Sequence, residues 1–376
     1  MKSFMEKEYK LKEDPFSEKS NVRAPMAGRT KQKKMWQQII RQRTGQRANS
    51  FNFISGDYGL GKSFTLYKIV EEVKKSHSNI LPISMKLLPE DTVRKFGLEF
   101  VQRIFGKLQL KEIKGILSQS KVRDYNHLKS VLHEPGAIFE KIKNGDELAF
   151  FFLRGDRVFD NKEMKKLGIV RKLDSTEKAK EYLLAFLYLL KKAKIDTLLL
   201  AIDEVEYIFS QMRGSKISLA FNTLRGFYDL QQCQEAFDLS TIANMILFFG
   251  ISDEGLRKIG DLNKRERAQG GPITPFMDRK DNIINLGPLS KEETRELIVL
   301  RLRQNRTTGE LERKPLIPFT EEFVTYVFEL TMGKPRAIVD RCDWVLLDGL
   351  EQEIPLITVD FAKKVLESRG VPTETK

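Results

Sequence analysis

Residues Phe51 to Ser63, FNFISGDYGLGKS, constrain the fold of this chain more than any other stretch. Phe51 to Ser55 is a short apolar and aromatic run with the character of a buried strand. Gly56, Gly61, Lys62 and Ser63 then fall at the spacing G-x-x-x-x-G-K-S/T, and a helical pattern follows from Phe64 to Lys75. Gly56, Gly59 and Gly61 let the backbone turn tightly and expose its N–H groups, which converge with the positive end of the following helix on a polyanion. The segment therefore predicts a phosphate-binding loop made of Gly56, Asp57, Tyr58, Gly59, Leu60, Gly61, Lys62, Ser63 and Phe64. In such a loop Lys62 reaches the β- and γ-phosphates of a nucleotide, and the Ser63 hydroxyl is offered to Mg²⁺.

A chain of 376 residues can bury a sizeable core and has room for two or three structural units. No run of about 18 apolar residues could span a bilayer, and no apolar signal core follows Met1, so the sequence predicts a cytoplasmic protein without a membrane partner. Cys233 and Cys342 lie far apart and only three histidines occur, which supports neither a disulfide framework nor a zinc site. The net charge of +13 favours a polyanionic partner, nucleic acid first. Residues 1–50 hold thirteen Lys and Arg against five Asp and Glu.

Along the chain, Met1 to Asn21 reads as a charged arm lying over a domain, with Asp14-Pro15-Phe16 giving a turn and one aromatic anchor. Gly28-Arg29 precedes an amphipathic helix over Lys31 to Arg43. Ile80 to Leu88 reads as a strand, despite Pro82, and Asp91 to Lys107 as a helix containing Gly97. Residues 108–180 show short helical patterns separated by charged turns and predict a helical insertion, including the basic piece Lys162 to Lys172. Glu181 to Lys192 is a strongly apolar helix.

Thr197 to Ile202 (TLLLAI) is an uninterrupted apolar run suited to a central parallel strand, and it ends in Asp203-Glu204. Acidic groups at the carboxyl end of such a strand can hold Mg²⁺ through Asp203 and orient a water through Glu204. A third apolar strand, Met245 to Gly250, precedes Ile251-Ser252-Asp253. Arg265, Arg267 and Arg279 lie between it and a short strand at Asn282 to Leu286. From Ser290 only helices are predicted: Ser290-x-x-Glu293 is a capping box, and further helices begin at Thr320, after Gly333-Lys334-Pro335-Arg336, and at Val359. After Ser368 only a short polar tail is read, so no appended winged-helix domain is expected.

This order of parts resembles the AAA+ ATPases, and within them the initiator and loader clade of origin-recognition ATPases. The stretch FFLRGDRVFDNKEMKKLGIV (Phe151 to Val170), followed by an apolar helix and LLLAIDEVE, is similar to P-loop ATPases of bacterial BREX-type phage-defence systems. Transposon target-selecting ATPases share the short lid. The resemblance implies an α/β P-loop sheet flanked by helices, with a C-terminal all-helical lid. The implied boundaries are an arm at 1–27, a nucleotide-binding domain at 28–289 and a lid at 290–376. It implies ATP and Mg²⁺ as cofactors, with Arg29 beside the nucleotide, Asp203 and Ser63 on the metal, Glu204 as catalytic acid and Ser252 or Asp253 as sensor. Arg336 would be a second sensor, and Arg279 an arginine finger for a neighbouring subunit, in competition with Arg265 and Arg267. Expected partners are DNA, further copies in a ring or filament, and effector proteins. A nucleotide-gated adaptor with little hydrolysis is the alternative.

Overall fold

The computed structural model describes residues 2–17, 24–87, 95–208, 215–231, 239–267, 280–306 and 314–373. Its contacts divide the chain into two compact units, one of Met35–Ser55 and Leu66–Ile284, the other of Met1–Lys34, Gly56–Thr65 and Asn285–Lys376.

The first unit is built on a sheet of five strands, β1 (Ser50–Ser55), β2 (Ile80–Lys86), β3 (Thr197–Asp203), β4 (Asn244–Ile251) and β5 (Lys280–Asn285), in the order β2-β3-β4-β1-β5. The pairs β2·β3, β3·β4 and β1·β4 are parallel. Every residue of β1, β3 and β4 is buried, as suits the inner strands of a parallel sheet, and this includes the polar Ser50, Asn52 and Asn244. Strand β2 stands at an edge, where Pro82 can forgo its missing N–H.

Helices α1 (Thr30–Gln46) and α2 (Lys62–Ser76) flank β1 in sequence, and α3 (Phe96–Gly106) follows β2. Between them and the next strand lie α4 (Leu110–Leu117), α5 (Val122–Val131), α6 (His133–Lys143), α7 (Glu147–Arg154) and α8 (Asn161–Leu167). Helix α9 (Thr176–Lys192) buries ten residues and is the spine of this core. Phe186 meets Phe105 edge-on at 5.1 Å between ring centroids and stacks on Phe139 at 5.9 Å. Helix α10 (Ser215–Tyr228) and α11 (Asp253–Arg267) complete the unit. Helix α11 turns Ile259 into the core.

The second unit carries four lid helices, α12 (Lys291–Gln304), α13 (Glu321–Thr331), α14 (Pro335–Glu351) and α15 (Val359–Ser368). The Ser290–Glu293 capping box opens α12 as its sequence predicts. The opening segment differs from the expected covering arm with a single anchor. Met5, Tyr9, Leu11 and Phe16 are all buried in the helical core, Phe16 against Phe319 and the Tyr9 hydroxyl on the Ile354 carbonyl at 2.5 Å. An apolar residue every few positions was too sparse to read as core, but the lid offers it a groove. Cys342 is buried in this core, and Cys233 lies outside the described residues.

Asp14 ties that segment to α14 through Asp343. Burial, and then this hydrogen bond, push the Asp14 carboxyl up to about 7; the Phe16 N–H, 2.8 Å from it, pulls the other way. Arg301 and Cys342 face the same cluster. Because the folded-state value lies above the unfolded one, the folded protein holds a proton across pH 4 to 7 and loses stability as pH rises through that window. The melting temperature is expected to fall between pH 5 and pH 8 by the equivalent of about 2–3 kcal/mol. Asp14→Asn should flatten that dependence, and an unchanged slope in thermal melts would rule the group out.

Candidate nucleotide site

The glycine turn predicted from FNFISGDYGLGKS begins directly after β1 and runs into α2. Gly59 and Gly61 adopt φ of 83° and 93°, a conformation open to glycine and strained for other residues. The Lys62 ammonium donates to the Gly56 and Asp57 carbonyls at 2.7 and 3.3 Å, closing the loop on itself. Thr65 N–H and hydroxyl both reach the Gly61 carbonyl. The first N–H groups of α2 have no intrahelical acceptor, as at any helix start. The Ser63 hydroxyl is exposed and makes no hydrogen bond among the described residues.

Two arginines brace this loop. Arg29 is buried, which pulls its pKa down, and it donates to the Leu60 and Gly287 carbonyls at 3.2 and 2.6 Å. Arg336, at the start of α14, donates its backbone N–H to the Gly59 carbonyl at 3.2 Å. Its guanidinium lies over the exposed Tyr58 ring at 5.0 Å and donates to the Tyr58 hydroxyl at 2.5 Å. A cavity of about 420 Å³ opens here, lined by residues 58–65, by Arg29 and Arg336, and by an apolar wall of Pro25, Met26, Ala27, Leu289, Leu297 and Val339. Sequence reasoning did not find that wall. Its signal was the Pro-Met-Ala directly before Gly28-Arg29.

The acidic residues belong to the sheet unit. Asp203 ends β3, is buried, and accepts the Glu204 N–H at 3.0 Å; Gly250 of β4 leaves room for its carboxylate, since a Cβ there would lie 2.7 Å from Oδ1. Glu204 has φ of 61°, an uncommon conformation for a residue with a side chain, and this turns its carboxylate to Lys86 at 2.8 Å. Lys86 stands opposite Asp203 in the β2·β3 register, and the hydrogen bond to Glu204 raises its pKa. The Ser252 hydroxyl accepts the Gly255 N–H at 3.1 Å and so caps α11. The Asp253 carboxylate accepts a hydrogen bond from the hydroxyl of Ser55, the last residue of β1.

Of the remaining candidates, Arg279 lies outside the described residues, and Arg265 is exposed on α11, which ends at Arg267. Among the described residues no group of three or more His, Cys, Asp or Glu side chains could hold a metal ion. A Mg²⁺ that shares phosphate oxygens needs only one or two protein ligands. The free Ser63 hydroxyl and the Asp203 carboxylate are donors of that kind.

Residues 137–341, more than half of the chain, match the family model described as BREX system ATP-binding protein BrxC/D. The chain belongs to this BrxC/D family. The matched region begins in α6, beyond the phosphate loop, so the loop and the family match are separate signs of nucleotide binding. An uncharacterised HTH-type transcriptional regulator of Methanocaldococcus jannaschii is 33% identical over 97 residues, which are 26% of this BrxC/D-family chain and 23% of that protein. Solved structures with a similar chain path include a RuvB mutant of Thermotoga maritima, with a TM-score of 0.43 and 13% identity over 93% of this chain and 72% of that one. Drosophila ORC bound to DNA matches with a TM-score of 0.48 and 11% identity, over 93% of this chain and 62% of that one. No helix among the described residues is long and apolar enough to cross a membrane.

Proposed function

We propose that the chain is a Mg²⁺-dependent AAA+-type ATPase that serves as a switch or loader within a phage-defence system, self-associates through its nucleotide sites and engages DNA. The observation that carries this reading is the glycine turn with Lys62, Arg29 and Arg336 around a cavity with an apolar wall, which suits a purine base at one end and phosphates at the other. The family match supports ATP as the nucleotide.

On this reading the α2 N-terminus and the loop N–H groups hold the phosphates. Lys62 exchanges its carbonyl partners for phosphate oxygens, and Arg336 leaves Tyr58 for the γ-phosphate. Ser63 and Asp203 would hold Mg²⁺, which would offset the negative charge of the phosphates. Glu204 orients the attacking water, Ser252 senses the γ-phosphate from β4, and Arg279 serves a neighbouring copy. The domain boundaries at 27 and 289 belong to the same proposal. The basic exposed face of α1, with Lys31, Lys34 and Arg41, supports DNA contact.

A second reading, a nucleotide-gated adaptor that recruits an effector and hydrolyses little, is favoured by internal engagement of the reaction groups. Glu204 is held by Lys86, and Ser252 by the α11 cap. Turnover measured with and without DNA separates the two: DNA stimulation supports the switch, while negligible turnover with tight ATP-dependent assembly supports the adaptor. Arg336→Ala is expected to weaken ATP binding about tenfold, the loss of one charge-assisted contact. Failure of the purified protein to retain ATP by titration calorimetry would overturn both readings.

A further inference from the structure

The helical insertion carries a basic surface that the nucleotide site does not use. In α8, Lys162, Lys165 and Lys166 fall within about 100° of arc, on the side opposite the buried Met164 and Leu167. The helix is fixed at both ends, by the Asp160–Glu163 capping box and by Gly168. Val158 and Val170 bracket it and are 88% and 86% exposed, the highest values among the large apolar side chains described, while their neighbours Phe159 and Ile169 are buried. Glu134 takes the N–H groups of Val170 and Arg171 at 2.9 and 3.1 Å, which fixes the backbone at that point.

The charge balance here is not that of an ordinary solvated face. Each carboxylate between residues 154 and 174 is engaged: Asp156 with Arg154, Glu163 with Arg157, Asp174 with Lys178, and Asp160 on the Glu163 N–H. Lys162, Lys165, Lys166, Arg171 and Lys172 are exposed and form no salt bridge among the described residues. Four cations without a facing carboxylate among the described residues, Lys162, Lys165, Lys166 and Lys172, with two apolar side chains on a helix fixed at both ends, fit a polyanion whose phosphates alternate with apolar sugar and base edges; Arg171, which faces Glu181, adds less.

We infer that this face of α8, with Arg171 and Lys172, is a docking surface for the phosphate backbone of duplex DNA. The inference deepens the DNA engagement proposed above and rests on it for its choice of partner. Each lysine that meets a phosphate releases a counterion, so the contact is insensitive to sequence and steeply sensitive to salt.

The test is fluorescence anisotropy of the full chain with a slowly hydrolysed ATP analogue on labelled duplex DNA, across a series of salt concentrations. Lys162→Ala/Lys165→Ala/Lys166→Ala is expected to bind roughly 10- to 100-fold more weakly at low salt, and to lower the slope of log affinity against log salt by about 2–3, with ATP binding unchanged. These side chains are exposed, so the melting temperature should match that of the parent. Val158→Ser/Val170→Ser should weaken binding a few-fold with the slope intact. Lys31→Ala/Lys34→Ala on α1 reports DNA engagement elsewhere. If the parent binds DNA and the triple variant keeps its affinity and slope, the inference fails and DNA engagement stands. If the parent does not bind DNA, both fail. If the triple variant loses affinity for polyglutamate and not for DNA, the face belongs to an acidic protein and the inference fails.

Discussion

Glu204→Gln is expected to bind ATP within about threefold of the parent and to lose turnover by roughly 10²- to 10³-fold, the usual cost of removing a positioned proton acceptor. The substitution is close to isosteric. The amide oxygen can still accept from Lys86, and φ of 61° is no harder for Gln than for Glu, so the local geometry should survive. Nucleotide affinity should be spared because Lys62, Ser63 and Arg336 lie on other segments. Turnover within threefold of the parent, measured as phosphate release at saturating ATP, would remove Glu204 from the reaction. A parent with no turnover to lose would support the adaptor.

The largest loss of stability is expected from Gly333→Ala. Gly333 has φ of 68°, and a Cβ there would lie 2.1 Å from the Leu289 carbonyl oxygen, a backbone atom with little freedom to retreat. Leu289 also donates its N–H to the Gly333 carbonyl at 2.8 Å, so the two segments cannot part without losing that bond. Strain and clash together should cost about 3–4 kcal/mol, or roughly 10 °C in melting temperature. Arg336 follows three residues later, and its hold on Gly59 should loosen, with weaker ATP binding as the second readout. Gly370→Ala is the control, since φ is 72° there and nothing lies within 4 Å. Equal melting temperatures for the two variants would show that the contact with Leu289 is not what Gly333 serves.

Much of the fold was legible because its signals are local. The apolar run TLLLAI can only be a strand buried on both faces, and it is β3. The glycine spacing at 56, 59 and 61 announced a turn with positive φ, and the capping box at Ser290 named its own helix start. The family resemblance read from Phe151 to Val170 agrees with the BrxC/D match over 137–341. Contacts between residues far apart in the chain were not legible. Lys86 is unremarkable until β2 pairs with β3 and sets it opposite Asp203. The partners of Ser252 and Asp253 were likewise not legible: Ser252 caps a helix, and Asp253 takes the Ser55 hydroxyl from a neighbouring strand.

The sequence by itself determined that this chain has a tight glycine turn between a strand and a helix, a buried parallel strand ending in two acids and a closing set of helices. Each of these follows from backbone stereochemistry and hydrophobic period over a few consecutive residues. Only the tertiary structure decided what the polar side chains touch: Arg336 on Tyr58, Glu204 on Lys86, Arg29 on the loop carbonyls, and the opening segment in the lid core. The reason is physical. A charged or hydroxyl side chain takes whatever partner the packing brings within about 3 Å, and strand register and helix packing bring together residues that are remote in sequence.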